Sequence, residues 1–259
     1  MKISASNIAW AFEQDKAMLA YLKSLGYHGL EIAPTRVFPC APYDQLDQAR
    51  SFANSLHENY GLHVSSMQSI LFGVSQNLFA SDGDRMLLLA HLNKAIRFAS
   101  AMSCPNLVFG CPKNRKIGGP GYYEIAVEFF SQLANIAAEH HTVVSIEPNP
   151  VIYGTNFLNT TSQAFSFVRD VSHHACKVNI DTGTMVHNNE PFSLLEQHVD
   201  LIHHIHISEP NLVPIVRRDL HKQLFDLPYS GYISLEMKNP GDIGPVKEAL
   251  WYIQNLATR

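Results

Sequence analysis

Four residues have types and spacing that invite chemistry: Glu147, Asp181, His206 and Glu236. Each closes a short run of strand-forming residues, in "VVSIEPNP", "KVNID", "HHIHIS" and "YISLE". A strand that reads as buried on both faces has no structural reason to finish on an acid. The four lie 34, 25 and 30 residues apart, so they meet only if their strands end on a common face. Three carboxylates and an imidazole cannot share a low-dielectric pocket unpaired, because repulsion would force protons onto some of them. A divalent cation removes the conflict, and oxygen-rich ligation with one nitrogen suits Mn²⁺, Mg²⁺, Co²⁺ or Zn²⁺. A carbonyl and neighbouring hydroxyl held by such a cation have an acidified C–H between them. A glutamate in reach can take that proton and an opposite one can return it. The competing reading, four unrelated polar residues at strand edges, requires the same placement to arise four times.

The elements that must position these residues are legible along the whole chain of 259 residues. Strand-like runs occur at Lys2–Ser6, Gly29–Ala33, Leu62–Met67, Asn106–Phe109, Val143–Glu147, Lys177–Asp181, Leu201–Ile207 and Tyr232–Glu236. Between them lie stretches with apolar residues every three or four positions, such as "DRMLLLAHLNKAIRFASAMSC" and "YYEIAVEFFSQLANIAAEHH". "SLGYHGLEI" reads as a helix end, a glycine stop and a new strand. Strict alternation of strand and helix implies a parallel sheet with crossover helices. Eight repeats in about 250 residues favour one domain, 1–259, folded as an α/β (β/α)8 TIM barrel. No GxGxxG follows the first strand and no P-loop occurs, which disfavours an open nucleotide-binding sheet. In a barrel all strand C-termini share one face, where active sites form.

Composition narrows the class. With 46% apolar and 16% charged residues, a large core is expected and disorder is not. A net charge of −4 disfavours nucleic acid as a partner. The four cysteines lack CxxC spacing, so neither a disulfide framework nor a zinc ribbon is expected. "MKISASNIAWAFEQDK" turns polar too early for a signal peptide, and no apolar run of about 18 residues occurs, so no membrane partner and a cytoplasmic location are expected.

Further candidates lie at the same rim. Glu31 and Gln68 can hydrogen-bond substrate hydroxyls. Lys113, with Arg115 and Lys116 in the irregular stretch "GCPKNRKIGGPG", can bind a phosphate or carboxylate, or form a solvated basic loop. Asn149 and Asn156 can orient the turn after Glu147 or touch ligand. Glu209 can support the metal ligands from behind. Asp219 and His221 can line the pocket, hold a second metal or sit at a helix start. In "HHIH", alternation sends His204 and His206 to one face and His203 to the other.

The stretches "LEIAP", "SMQSI", "SIEPNPVIYGTNFLNT", "VNIDTGTM", "HIHISEP" and "GYISLEMK" resemble the xylose isomerase-like TIM barrels, the sugar phosphate isomerase and epimerase superfamily that includes AP endonuclease family 2. The resemblance covers essentially the whole chain. It implies one divalent metal held by Glu147, Asp181, His206 and Glu236. It also implies Glu147 and Glu236 as an acid/base pair acting through a cis-enediolate, a small carbohydrate substrate, and a homodimer or homotetramer. Three sugar-gripping positions of the ketose 3-epimerases differ: Tyr153 replaces a glutamate, Thr184 a histidine and Leu212 an arginine. The implied chemistry is therefore an isomerase or epimerase of a sugar, sugar acid or sugar phosphate, rather than specifically of a ketohexose. A dehydratase of a keto-inositol-like polyol is the alternative. A phosphodiesterase or endonuclease and a non-catalytic ligand-binding barrel rank behind it. The Asp219-Leu220-His221 pair resembles part of a trinuclear endonuclease site, but the other ligands of such a site are missing.

Overall fold

Eight short parallel strands close on themselves, each hydrogen-bonded to the next and the last to the first. They are β1 (Lys2–Ser6), β2 (Gly29–Ile32), β3 (His63–Met67), β4 (Asn106–Phe109), β5 (Val143–Ile146), β6 (Cys176–Asp181), β7 (Ile202–Ile207) and β8 (Tyr232–Leu235). The protein is described here by a computed structural model covering residues 1–258. The connecting helices are α1 (Asp15–Ser24), α2 (Pro34–Val37), α3 (Leu46–Tyr60), α4 (Asp82–Ala101), α5 (Tyr122–Glu139), α6 (Thr161–Val171), α7 (Thr182–Asn188), α8 (Ser193–Glu196), α9 (Asp219–Leu224) and α10 (Gly244–Ala257). The TIM barrel read from the alternation is the fold observed. Among the described residues no helix is long and apolar enough to cross a membrane.

Local chemistry sets the helix ends. Ser81 Oγ accepts the Asp84 amide at 3.1 Å and starts α4. Thr160 and Gln163 exchange side-chain bonds with each other's amides and start α6. Gly61 adopts φ 70° at the end of α3, a left-handed conformation that costs glycine little.

The strands are buried on both faces, but the two faces differ in chemistry. Ile3, Ile32, Met67, Phe109, Ile146, Ile180, Ile207 and Leu235 belong to the apolar core. Alternating with such residues are Ser4, Ser6, Glu31, Asn106, Ser145, Asn179, His204, His206 and Ser234, all buried. TIM barrels usually fill the lumen with branched aliphatic layers. Here the lumen is polar, and the burial energy comes from the shell between strands and helices.

Two register shifts bend this lumen, one between β2 and β3 at Leu30/Glu31 and one between β6 and β7 at Val178/Asn179. The second corrects the reading of "HHIH". Val178 pairs with Ile202 and Asn179 with His204, so His203 is the extra residue of the bulge. Its Nδ1 lies 3.0 Å from Asn106 Oδ1, and it lines the same cavity at the N-terminal end of the barrel as His204. Burial, then the neighbouring His204 and Lys177, push the His203 pKa down to about 4, so it is neutral at physiological pH.

The barrel seam with the sparsest pairing joins β3 to β4, through Met67 and Leu107 alone. The loops that follow these two strands form the walls of the main cavity.

Gly29 stands at a tight point of the barrel. A Cβ there would stand 2.7 Å from Ser65 Cβ and 2.9 Å from Tyr232 Cε1. Gly29→Ala should therefore cost about 1–3 kcal/mol, the usual overpacking penalty. Gly118→Ala, with open space around its Cβ, should be nearly neutral. Urea unfolding of both variants checks this; equal midpoints would mean that the lumen is not close-packed at Gly29.

Candidate metal centre and active site

Asp181 ends β6 and His206 is the penultimate residue of β7, while Glu147 and Glu236 follow β5 and β8 by one residue. The closed barrel brings the four together, with one donor atom from each within 4.8 Å of the others. His206 is fully buried and central. Its Nδ1 stands 3.0 Å from Glu147 Oε1 and 3.1 Å from Glu236 Oε2. Its Nε2 stands 3.0 Å from Glu31 Oε2.

Two of the three acids in the cluster, and Glu31 beside them, are braced by neutral donors. Glu147 Oε1 accepts from Asn179 Nδ2 at 2.8 Å and Oε2 from Asn149 Nδ2 at 3.0 Å. Asn149 Oδ1 in turn accepts from Arg115 Nη2 at 2.6 Å, and the same nitrogen donates to the Glu147 carbonyl at 2.7 Å. Gly110 leaves the space that Glu147 uses: a Cβ there would lie 2.5 Å from Glu147 Oε2. Asp181 caps α7 by accepting the Thr184 amide at 2.5 Å, and its other oxygen accepts from Ser208 Oγ. Glu31 Oε1 accepts from Gln68 Nε2 at 2.9 Å, which also reaches Ser6 Oγ at 2.5 Å. Glu31 Oε2 additionally lies 2.9 Å from His204 Nε2, near enough for an ion pair though not aligned as a hydrogen bond.

The donor set fits a divalent cation. Donors about 2.1 Å from such an ion stand at most about 4.2 Å apart, so 4.8 Å requires only small side-chain adjustments. The proton inventory fits as well. With Nε2–H directed at Glu31, the Nδ1 lone pair of His206 faces the acids, the arrangement in which a carboxylate behind a ligating histidine fixes its tautomer.

Electrostatics show how strained the cluster is on its own. Burial, followed by the charge of Glu147, pushes Asp181 up to about 6 despite bonds from Ser208 and Thr184. Burial pushes Glu236 up to about 7, with Glu147 and Asp181 adding to it and His206 opposing. Burial alone would depress His206, but Glu236 and Glu31, aided by bonds to Glu147 and Glu236, hold it well above its ordinary value. Burial would raise Glu31, but His206 and His204 together hold it below the usual carboxylate range.

A cavity of about 590 Å³ opens beside the acids, within the range of small-molecule sites. Gln68, Lys113, Glu147 and Glu236 line it, with apolar walls from Leu71, Phe72, Val74 and Val108. The other rim residues are engaged by protein groups, Asn149 in the orienting role that the sequence left open to it. Glu31 lies below the cavity, engaged by Gln68 and the two histidines rather than free for a substrate hydroxyl. Asn149 orients Glu147 instead of lining the cavity, and Asn156 clamps Ile117 through both its amide atoms. Glu209 is buried and held in a two-pronged ion pair by Arg218, at 2.8 and 2.5 Å, so it is not behind a metal ligand. His221 is fully buried with Nδ1 3.5 Å from the Tyr252 hydroxyl, and Asp219 is exposed and paired with Lys222 at 2.6 Å. Neither joins the acid cluster; of the three readings open for this pair, the helix start is the one observed, since Asp219 opens α9.

Sequence reading missed Asn179 and the role of Arg115. Asn179 stands two residues before Asp181, on the same strand face, and that spacing was signal enough. Arg115 looks like loop surface in sequence but is fully buried. Burial lowers its pKa to about 10, with Cys111 and Glu147 opposing, so it stays charged at neutral pH. Its Nε and Nη1 find no protein partner among the described residues. The three positions that depart from the ketose 3-epimerase pattern are also internally engaged. The Tyr153 hydroxyl accepts the Asn211 amide at 2.8 Å, Thr184 Oγ1 donates to the Pro148 carbonyl at 3.0 Å, and Leu212 sits at φ 56° in the turn after β7.

The model of the xylose isomerase-like TIM barrel family matches residues 19–257. No curated protein matches the chain in sequence. Among solved structures, the 3-keto-D-glucoside 4-epimerase of E. coli is similar, with 19% identity, TM-score 0.77 and complete coverage of both chains. The D-psicose 3-epimerase of Clostridium cellulolyticum H10, solved with D-tagatose, has 17% identity and TM-score 0.79, over 100% of this chain and 98% of that one. The probable 3-DHS dehydratase of Bacillus anthracis has 16% identity and TM-score 0.71, over 100% and 99%. At these identities the likeness is one of fold.

The raised pKa values give a signed prediction. Asp181, Glu236 and His206 all bind protons more tightly folded than unfolded, so their contribution to stability is lost as pH rises through about 6 to 7 and beyond. The Tm of metal-free protein should therefore fall from pH 5 to pH 8.5, and excess Mn²⁺ should restore it most at the alkaline end, where the ligands are deprotonated. Thermal scans across pH with and without Mn²⁺ check this. A Mn²⁺ shift that is largest at pH 5 would contradict it.

Proposed function

The chain belongs to the xylose isomerase-like TIM barrel family, and from that premise we propose that it is a divalent-metal-dependent isomerase or epimerase of a small carbohydrate. The observation that carries this reading is that Glu147 and Glu236 both belong to the four-residue donor cluster and both line the one cavity beside it. Glu147, Asp181, His206 and Glu236 would hold Mn²⁺, Mg²⁺, Co²⁺ or Zn²⁺. When bound, the cation supplies positive charge beside the carbonyl and adjacent hydroxyl of the sugar, which acidifies the C–H between them. The chain's own residues do the rest. One glutamate removes the proton to give an enediolate, and the other delivers a proton to complete the isomerisation or invert the centre. Asn149 and Asn179 hold the Glu147 carboxylate in one orientation, so the base does not rotate away between turnovers. Leu71 and Val108, both buried, give the cavity an apolar side.

Deuterium wash-in from D₂O at the carbon next to the carbonyl, followed on Mn²⁺-loaded protein with ketoses, ketose phosphates and keto-acids, tests the reading. Glu147→Gln and Glu236→Gln should each slow exchange about 10²–10⁴-fold, the usual worth of a general acid or base, while the far-ultraviolet circular dichroism stays unchanged. Normal exchange in both variants would remove the acid/base pair. Product lighter by one water would assign the same proton abstraction to a dehydratase instead.

A second variant tests the fit around the base. Gly110→Ala should lower turnover without loss of bound metal ligands other than Glu147, since only that carboxylate is displaced. Full activity in Gly110→Ala would show that the space behind Glu147 is not needed.

A further inference from the structure

We infer that Arg115 is a positioning residue for Glu147, acting through Asn149, whose amide it holds with the nitrogen end towards the Glu147 carboxylate. The inference rests on the isomerase reading above for its effect on turnover, while its effect on metal binding is read without substrate.

A carboxamide has two ends of similar shape and opposite hydrogen-bonding character, so a fixed neighbour decides which end faces where. A guanidinium donates and never accepts, and it can meet only the oxygen end. Arg115 Nη2 donates to Asn149 Oδ1 at 2.6 Å, which leaves Asn149 Nδ2 as the end offered to Glu147 Oε2, at 3.0 Å. With the amide reversed, oxygen would stand against oxygen. The same Nη2 donates to the Glu147 carbonyl at 2.7 Å. One nitrogen therefore holds Glu147 twice, by its main chain directly and by its carboxylate through Asn149. Asn179 Nδ2 holds the other carboxylate oxygen, at 2.8 Å.

The backbones on both sides of this contact are fixed. Arg115 ends the short turn Pro112–Arg115. Asn114 Nδ2 ties that turn to the loop after β3, through the carbonyls of Val74 and Gln76 at 3.0 and 2.8 Å. Thr155 Oγ1 ties it to the loop after β5, donating to the Arg115 carbonyl at 3.3 Å. The Asn149 amide donates to the Leu158 carbonyl at 3.1 Å, and the Asn149 carbonyl accepts from Asn159 Nδ2 at 2.8 Å. The freedom left to Asn149 lies in its side chain, and the guanidinium removes it.

Packing does not call for an arginine here. Arg115 is fully buried and does not line the cavity, and its Nε and Nη1 have no protein partner among the described residues. An apolar side chain would fill the space at less cost than a cation that meets protein acceptors through one of its three nitrogens. What the cation secures is the pair of bonds to Asn149 and Glu147.

A double-substitution cycle with Arg115→Met, Asn149→Leu and both together tests the inference. It is read first as Mn²⁺ affinity without substrate, then as kcat and KM for deuterium exchange at saturating Mn²⁺, with thermal scans to confirm folding. Each single substitution should weaken Mn²⁺ binding about tenfold or more and lower kcat about 10–100-fold, the usual worth of a group behind a metal ligand, with KM little changed. The double variant should bind Mn²⁺ within about threefold of the weaker single, because both changes remove the same support. Arg115→Lys, which only donates, should recover most of the loss. Arg115→Gln, whose amide can present either end, should not, and it replaces Arg115→Met in the cycle if that variant fails to fold. Unchanged Mn²⁺ affinity in the Met or Gln variant overturns the inference whatever kcat does. Losses that multiply in the double variant, or a Lys variant no better than the Gln variant, also overturn it. A parent that exchanges no ketose, ketose phosphate or keto-acid removes the isomerase reading, and the Mn²⁺ cycle still decides the role of Arg115. A parent that binds no Mn²⁺ removes the metal centre and this inference together.

Discussion

The mutual repulsion of Glu147, Asp181 and Glu236 around His206 is the constraint on which the rest of this structure depends. Acids held this close in a buried site must either carry protons or share a cation. Burial and mutual repulsion act in the first direction, pushing Asp181 and Glu236 up to about 6 and about 7. A cation offers the second course, and the surrounding hydrogen bonds are laid out for it. Asn179, Asn149, Ser208 and the Thr184 amide all donate to carboxylate oxygens. Such donors stabilise the charged acid rather than the protonated one.

That requirement explains the unusual lumen. A barrel filled with aliphatic layers would leave the cluster's supporting groups unpaired. Here Glu31, Gln68 and Ser6 extend the polar network across the lumen from His206, and His204 joins it from two residues earlier on β7. The fold compensates by placing its apolar packing outside the strands, against the helices. The bulge at His203 and the shift at Glu31 fall beside this polar column, where bulges commonly redirect side chains near functional sites. The sparse β3–β4 pairing lies under the cavity walls, so the region that must admit a ligand is also the least tightly laddered part of the barrel.

Much of this was legible in the sequence, for physical reasons that differ by residue. The strands were found because burial on both faces leaves dense runs of β-forming residues, and each expected range agrees with the observed strand to within a residue at either end. The three clustered acids and the histidine were found because barrel topology converts a one-dimensional pattern, an ionisable residue at the ends of four successive strands, into proximity. What stayed hidden depends on contacts between loops. Arg115 reads as surface because its neighbours are basic and glycine-rich, and only the folded chain shows that it carries Asn149 and the Glu147 carbonyl. Glu209 and His221 read as rim residues by position, yet Arg218 and Tyr252, supplied from later in the chain, take them. His203 was misplaced because alternation fails at a bulge, and nothing in "HHIH" marks where the extra residue falls.

The most direct test of the metal centre is elemental analysis of the purified protein beside a Glu236→Ala variant, each incubated with Mn²⁺ and then desalted. About one divalent ion per chain in the parent, lost or strongly reduced in the variant, is the result expected of a single four-ligand site. No bound metal in the parent, or an equal content in Glu236→Ala, would contradict it.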